Sequence, residues 1–136
     1  MNNRQQKQTE NASAEIFKYD ADNGVSEYHV MIHARCPEDT YEQQLNAVVN
    51  AYFALLEGEI CGAVAVFKRY FLSDAANQSD MLLALTTESS DCALSIVEQP
   101  PLNGTKIALW VYLQSGVQTR VLHLSLIHIS EPTRHA

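Results

Sequence analysis

Residues 26–36 read SEYHVMIHARC, and the side chains alternate in character along the whole stretch. The apolar row consists of Tyr28, Val30, Ile32, Ala34 and Cys36. The mostly polar row between them consists of Glu27, His29, Met31, His33 and Arg35. A repeat of two residues places the two rows on opposite faces of a β-strand. The stretch therefore predicts a strand that is buried on one face, and other elements must supply the layer that covers it.

The segment before this strand predicts a partner for it. Residues 15–19, EIFKY, favour a short strand, and residues 22–24, Asp-Asn-Gly, tolerate the positive φ angles of a tight hairpin turn. We expect these first two strands to pair antiparallel.

A helix is predicted directly after the second strand. Pro37 ends the strand, and Thr40 and Gln43 have the spacing of a capping box, in which each side chain accepts a hydrogen bond from an unpaired backbone N–H. Apolar residues then recur at intervals of three and four, at Tyr41, Leu45, Val48, Val49, Tyr52, Leu55 and Leu56. This spacing gives one apolar stripe, and Gly58 marks the end of the helix.

The rest of the chain predicts one more helix and three more strands. Residues 63–72, AVAVFKRYFL, are rich in strand formers and suit the inside of a sheet. A second helix follows over residues 77–85, and strands follow over residues 93–97 and 106–113. The order ββαβαββ predicts an α+β fold, a two-layer sandwich of one sheet and two helices.

Two helices can cover only one face of such a sheet, which leaves the other face open. The strand at residues 106–113 is nevertheless apolar on both faces. We therefore expect the open face to associate with further copies of the chain.

Composition excludes several classes of partner. The formal net charge of −7 argues against binding to nucleic acid, and no apolar run approaches the ~20 residues that a membrane span needs. The cysteines Cys36, Cys61 and Cys92 are odd in number and widely spaced, which indicates neither a disulfide framework nor a metal site. We expect a cytoplasmic protein without metal or cofactor.

Three segments carry a resemblance to a known family. They are EQQLNAVVNAYFALL at 42–56, VFKRYFLSDAANQ at 66–78, and ALSIVEQPPLNGTKIALWVYLQ at 93–114. Together with the element order, they resemble the Rid (YjgF) superfamily, once labelled endoribonuclease L-PSP or translation inhibitor, and especially its chorismatase-like bacterial branch. The resemblance implies a chorismate-mutase-like homotrimer that binds small carboxylate metabolites in clefts between subunits.

The resemblance also bears on catalysis. In the imine deaminases of this superfamily, an Arg shortly before a Leu-Pro turn pairs with the substrate carboxylate. Alignment on Pro101 puts Cys92 or Ala93 at that position. The resemblance therefore implies that the main anchor of the deaminases is missing here.

Two arginines are candidates for binding the carboxylate instead. Arg69 lies in an otherwise apolar strand, where a charge is costly unless it is paired or reaches an opening. It could equally reach solvent or Asp74. Arg35 is a second candidate, with a solvated strand end as the alternative.

Three further residues are candidates at the expected cleft. Cys92 is a candidate for substrate contact, although a cysteine is also a small apolar side chain that packs well. Glu98 and Gln99 precede two prolines in a loop, where polar groups often face a ligand. Glu98 is the candidate general base. About 13 Å of strand separates His29 from His33, which is too far for one metal ion to bind both. They are therefore interpreted as surface or interface side chains.

The two ends of the chain are interpreted differently from its middle. Residues 1–14 are rich in Asn and Gln and predict a disordered lead-in to a Rid-like domain at 15–123. Residues 124–134, LSLIHISEPTR, resemble the translation of a transposase adaptor used in sequencing libraries. On that interpretation residues 124–136 are not native, the domain is truncated at its C-terminus, and the fragment is inactive.

Three hypotheses on function remain. The first is a Rid-like domain that binds a small carboxylate metabolite and, at full length, hydrolyses an imine or enol ether. The second is a non-catalytic trimeric interaction module. The third is the first half of a two-domain, chorismatase-like enzyme.

Overall fold

A computed structural model describes residues 2–21, 24–86 and 92–116 of the chain. The elements in these ranges are β1 (Asn2–Gln8), β2 (Ala12–Asp20), β3 (Ser26–Ala34), α1 (Tyr41–Glu57), β4 (Val64–Leu72), α2 (Ala75–Thr86), β5 (Ala93–Glu98) and β6 (Ile107–Ser115). The strands form one sheet in the order β1-β2-β3-β6-β4-β5. β4 and β5 pair parallel, and all other neighbouring strands pair antiparallel.

The first hairpin and the helix after it form as predicted. β2 and β3 pair antiparallel from Ala12↔Ala34 to Asp20↔Ser26, and residues 22 and 23 of the predicted turn lie outside the described residues. At the start of α1, the Thr40 hydroxyl accepts from Gln43 N at 3.2 Å, and Gln43 Oε1 accepts from Thr40 N at 2.9 Å. This reciprocal pair is the predicted capping box.

Both helices lie on one face of the sheet, so the α+β two-layer prediction is confirmed. α1 packs against β2, β3 and β6, and α2 contacts both β5 and α1. The core between these layers consists mainly of Ile16, Val30, Ile32, Leu45, Val48, Tyr52, Tyr70, Leu109, Val111 and Leu113. Truncation of a fully buried aliphatic side chain such as Ile32 costs about 2–5 kcal/mol, because the cavity it leaves is not refilled.

The N-terminal segment differs from its prediction, because residues 2–8 form a strand rather than a disordered lead-in. β1 pairs with β2 from Asn2↔Tyr19 to Gln8↔Ser13. Side chains add an ion pair from Arg4 to Glu15 and another of 2.7 Å between Lys7 Nζ and Glu59 Oε2. An edge strand gains its hydrogen bonds from the backbone of its neighbour, so it needs no apolar pattern that a sequence would reveal.

Other boundaries shift by only a few residues. α2 begins at Ala75, two residues before the predicted start, and β6 runs two residues beyond its predicted end. The adaptor-like residues 124–134 lie outside the described residues. In the described part of the chain, neither helix is long and apolar enough to cross a membrane.

Candidate functional site

A cleft of about 480 Å³ lies on the open face of the sheet, beneath the loop that follows β5. Its walls are Ser13, Met31, His33, Phe71, Gln99, Pro100, Pro101, Leu102, Asn103 and Ala108. The strand residues come from β2, β3, β4 and β6, at the ends that meet this loop. Ligand sites are commonly concave and mostly apolar with a few placed polar groups, and this cleft has that composition.

Backbone hydrogen bonds and one asparagine hold the loop over the sheet. Gln99 N donates to Leu72 O at 2.9 Å, and this bond extends the pairing of β4 with β5 into the loop. Asn103 Nδ2 donates to Ala34 O at 3.0 Å and so ties the loop to the end of β3. Two prolines limit the backbone, and Gly104 has a φ of +82°, a value that glycine adopts without strain. The cleft is therefore a built part of the fold.

The polar groups of the cleft include one histidine with a perturbed acidity. His33 is half-buried, and burial lowers its pKa because the imidazolium loses hydration, while the charge of Glu15 opposes that shift. The lowered pKa favours the neutral imidazole, which can both donate and accept a hydrogen bond.

The centre of the open face carries an aromatic cluster, which we define as His29, Phe67, Trp110 and Tyr112. The ring centroids of His29 and Tyr112 lie 5.0 Å apart, and those of Phe67 and Trp110 lie 5.5 Å apart. The guanidinium carbon of Arg69 lies 5.1 Å from the centroid of the Phe67 ring. Arg69 Nε is buried and has no hydrogen-bond partner among the described residues.

The structure brings two of the five candidate site residues to this face. Gln99 lines the cleft, and Arg69 lies two positions before Phe71, a cleft residue, on the same side of β4. A spacing of two residues along a strand is about 7 Å. Arg69 is therefore a neighbour of the cleft rather than part of its wall.

The other three candidates lie elsewhere. Glu98 is exposed, and its Oε1 accepts from Ala75 N at 3.0 Å, at the start of α2. Arg35 is exposed and donates to Thr9 O across the turn between β1 and β2. Cys92 lines a smaller cavity on the helix side of the sheet, with Lys68 and Tyr52. The structure thus separates these residues from the cleft and from one another.

Sequence reasoning did not identify His33 and Ser13 as cleft residues. The strand alternation already places His33 on the face opposite the apolar row. The alternation does not reveal that the loop at 99–103 packs over the end of β3. This long-range contact creates the cleft. Within the described ranges, no three His, Cys, Asp or Glu residues are placed to hold a metal ion.

Comparison with known proteins gives one likeness and two negative results. No family model matches the chain, and no curated protein matches it. A crystal structure from Salmonella typhimurium, named as a candidate translation initiation inhibitor, aligns with a TM-score of 0.57 and 16% sequence identity. The alignment covers 84% of this chain and 97% of that chain. At this identity the likeness shows the fold alone, and it agrees with the predicted α+β, two-layer architecture.

Proposed function

We propose that the chain is a Rid-like domain that binds a small carboxylate-bearing metabolite in a cleft between the subunits of a homotrimer. The observation that carries this proposal is the position of Arg69 beside the cleft, on the open face of the sheet. The Rid-like fold adds support, since the resemblance implies ligand clefts between subunits.

The state of Arg69 favours an anionic ligand. Its Nε is buried without a hydrogen-bond partner among the described residues, and its neighbour on the same face is the ring of Phe67. A buried polar group that lacks a partner costs about 1–3 kcal/mol, and more when the group is charged. A ligand carboxylate would remove that cost, because a guanidinium matches its two oxygens in geometry and charge.

The aromatic cluster favours assembly through the same face. The rings of Phe67, Trp110 and Tyr112 lie on the side of the sheet that neither helix covers, and none of them is fully buried. Burial of aromatic surface against another copy would stabilise an oligomer. In such an assembly, a neighbouring subunit would close the open side of the cleft.

Binding is favoured over turnover as the function of this chain. The resemblance implies an Arg where Cys92 or Ala93 stands, and the candidate base Glu98 is hydrogen-bonded at the start of α2. We assign hydrolysis of an imine or enol ether only to the full-length protein, as the second part of the proposal.

Two further parts of the proposal concern relationship and location. We propose a chorismatase-like relationship, and we propose a cytoplasmic location because the widely spaced cysteines suit a reducing compartment.

Thermal melting with small acids tests the proposal. We expect 2-oxobutanoate or 3-hydroxybenzoate to raise the melting temperature of the wild type, because a ligand stabilises the state that binds it, by about 2.7 kcal/mol at a concentration 100 times its Kd. Arg69→Ala should abolish the shift. Arg35→Ala is the matched control, since it removes an exposed arginine away from the cleft, and it should keep the shift.

The outcomes separate the hypotheses. An equal shift in Arg69→Ala and the wild type would overturn the role of Arg69. A stable trimer that responds to neither acid would favour the non-catalytic interaction module. Light scattering coupled to size-exclusion chromatography measures the oligomeric state of the wild type and of Arg69→Ala.

A further inference from the structure

Lys68 is a buried lysine on the helix side of the sheet, away from the cleft. Only 6% of its surface is exposed, and it lies between Val111 of β6 and Leu94 of β5 in the sheet register. Its Nζ lies 4.9 Å from the ring centroid of Tyr52 on α1. A lysine is seldom buried to this extent unless it is paired, so its surroundings call for an explanation.

The other lysines differ from Lys68 in having an oxygen partner. Lys7 and Lys18 form ion pairs with Glu59 and Asp20, and Lys106 Nζ donates to two backbone carbonyls. The structure shows an aromatic ring as the contact of the Lys68 amino group. Burial raises the pKa of the Tyr52 hydroxyl, so Tyr52 stays neutral and offers no charge to balance an ammonium.

Lys68 also lines a cavity of about 210 Å³. The other walls are Tyr52, Phe53, Leu56, Ala63, Val64, Ala65 and Cys92. The cavity is smaller than the usual range for drug-sized ligands, so it suits a small molecule with an apolar body. Burial lowers the pKa of Lys68, although nearby Cys92 opposes that shift, and a larger share of the amine is therefore neutral and nucleophilic.

We propose that Lys68 forms a reversible imine with a small apolar aldehyde or ketone that enters this cavity. The argument rests on a nearly buried lysine that has no carboxylate contact among the described residues and that lines a mainly apolar cavity. Desolvated lysines in apolar pockets are the ones that proteins use for such chemistry. The site lies on the opposite side of the sheet from the proposed carboxylate cleft and does not depend on it.

The reaction is balanced without any further reagent. The neutral amine adds to the carbonyl carbon and forms a C–N bond. The carbonyl oxygen then leaves as water with the two amine protons, and a C=N bond remains. No electron is gained or lost, and addition of water reverses the reaction.

Reductive trapping of the full chain tests this inference. The protein is incubated at neutral pH with butanal and sodium cyanoborohydride, which reduces the imine to a stable secondary amine, and the adducts are located by peptide mass mapping. We expect the adduct to form first at Lys68, ahead of Lys7, Lys18 and Lys106. Formaldehyde, which is too small to require the cavity, serves as the reference for the intrinsic exposure of each lysine.

Two variants sharpen the result. Lys68→Arg keeps the positive charge but cannot form this imine, so it should lose the preferred adduct, and Lys18→Arg should retain it. Butanal labelling that favours exposed lysines, or that leaves Lys68 unmodified in the wild type, would overturn the proposal. The wild-type map decides the question even if Lys68→Arg does not fold.

Discussion

Adjacent basic residues on β4, Lys68 and Arg69, meet opposite environments because of one extra residue in the strand. The pairing of β4 with β6 shifts register between Ala65 and Phe67, so that Val66 is left out of the ladder. A bulge of this kind moves every later side chain to the other face. Lys68 is thereby placed under α1, and Arg69 is placed on the open face.

His33 gives a prediction on pH at the scale of a single residue. Its pKa in the folded chain lies below the ordinary value of 6.5, because the half-buried imidazolium loses hydration. The unfolded chain therefore binds the proton first, and stability is lost as the pH falls below about 6.5. We expect His33→Gln to flatten the decline in melting temperature between about pH 8 and about pH 5.5.

Ser13→Ala is the matched control, since Ser13 pairs with His33 across β2 and β3, lines the same cleft and carries no titratable group. It should retain the wild-type dependence on pH. A melting curve for His33→Gln that runs parallel to that of the wild type over the whole range would contradict the assignment.

At the scale of the element, α2 depends on a residue from a neighbouring strand. The first N–H groups of a helix lack acceptors within the helix. In α2, Glu98 Oε1 accepts a hydrogen bond from Ala75 N at 3.0 Å. The negative charge also lies at the positive end of the helix dipole. Glu98 thus has a structural role that its position before two prolines does not reveal.

Substitution of Glu98 separates this structural role from catalysis. Glu98→Ala should lower the free energy of unfolding by about 1 kcal/mol, as measured by urea denaturation, because the acceptor is lost. Glu98→Gln keeps an acceptor oxygen and should lose less. If Glu98 were instead the general base of a reaction, Glu98→Gln would remain stable and lose turnover, and equal stability of all three proteins would argue against the cap.

At the scale of the whole molecule, the sheet is covered by helices on one side and exposes aromatic rings on the other. Trp110 lies near the middle of the aromatic cluster, with its ring 5.9 Å from that of His29 and 5.5 Å from that of Phe67. Trp110→Glu would place a charge where the proposed trimer buries its contact surface. We expect this variant to elute as a monomer in light-scattering analysis.

Leu83→Glu is the control for that experiment. Leu83 is 40% exposed on α2, on the helix side of the sheet, so the same added charge should leave the trimer intact. Monomers in both variants would indicate general destabilisation, and a trimer of Trp110→Glu would contradict assembly through the open face. A monomeric wild type would also contradict it.

Much of the fold followed from local patterns. The alternation at residues 26–36, the capping box at Thr40 and the apolar stripe of α1 are set by neighbours within a few residues, and all three are present in the structure. The element order from β2 onward and the two-layer arrangement follow from such patterns, because an apolar face must be covered. Gln99, a candidate because of its place in a loop before two prolines, lines the cleft on the open face.

The remaining features depend on contacts between distant parts of the chain. β1 forms because a polar segment pairs with the backbone of β2, and the cleft forms because Asn103 reaches Ala34 across the end of the sheet. The bulge at Val66 decides which of two adjacent basic residues is buried. Alternation in the sequence can define two faces of a strand, but backbone pairing and register decide where each face lies, and these belong to the tertiary structure.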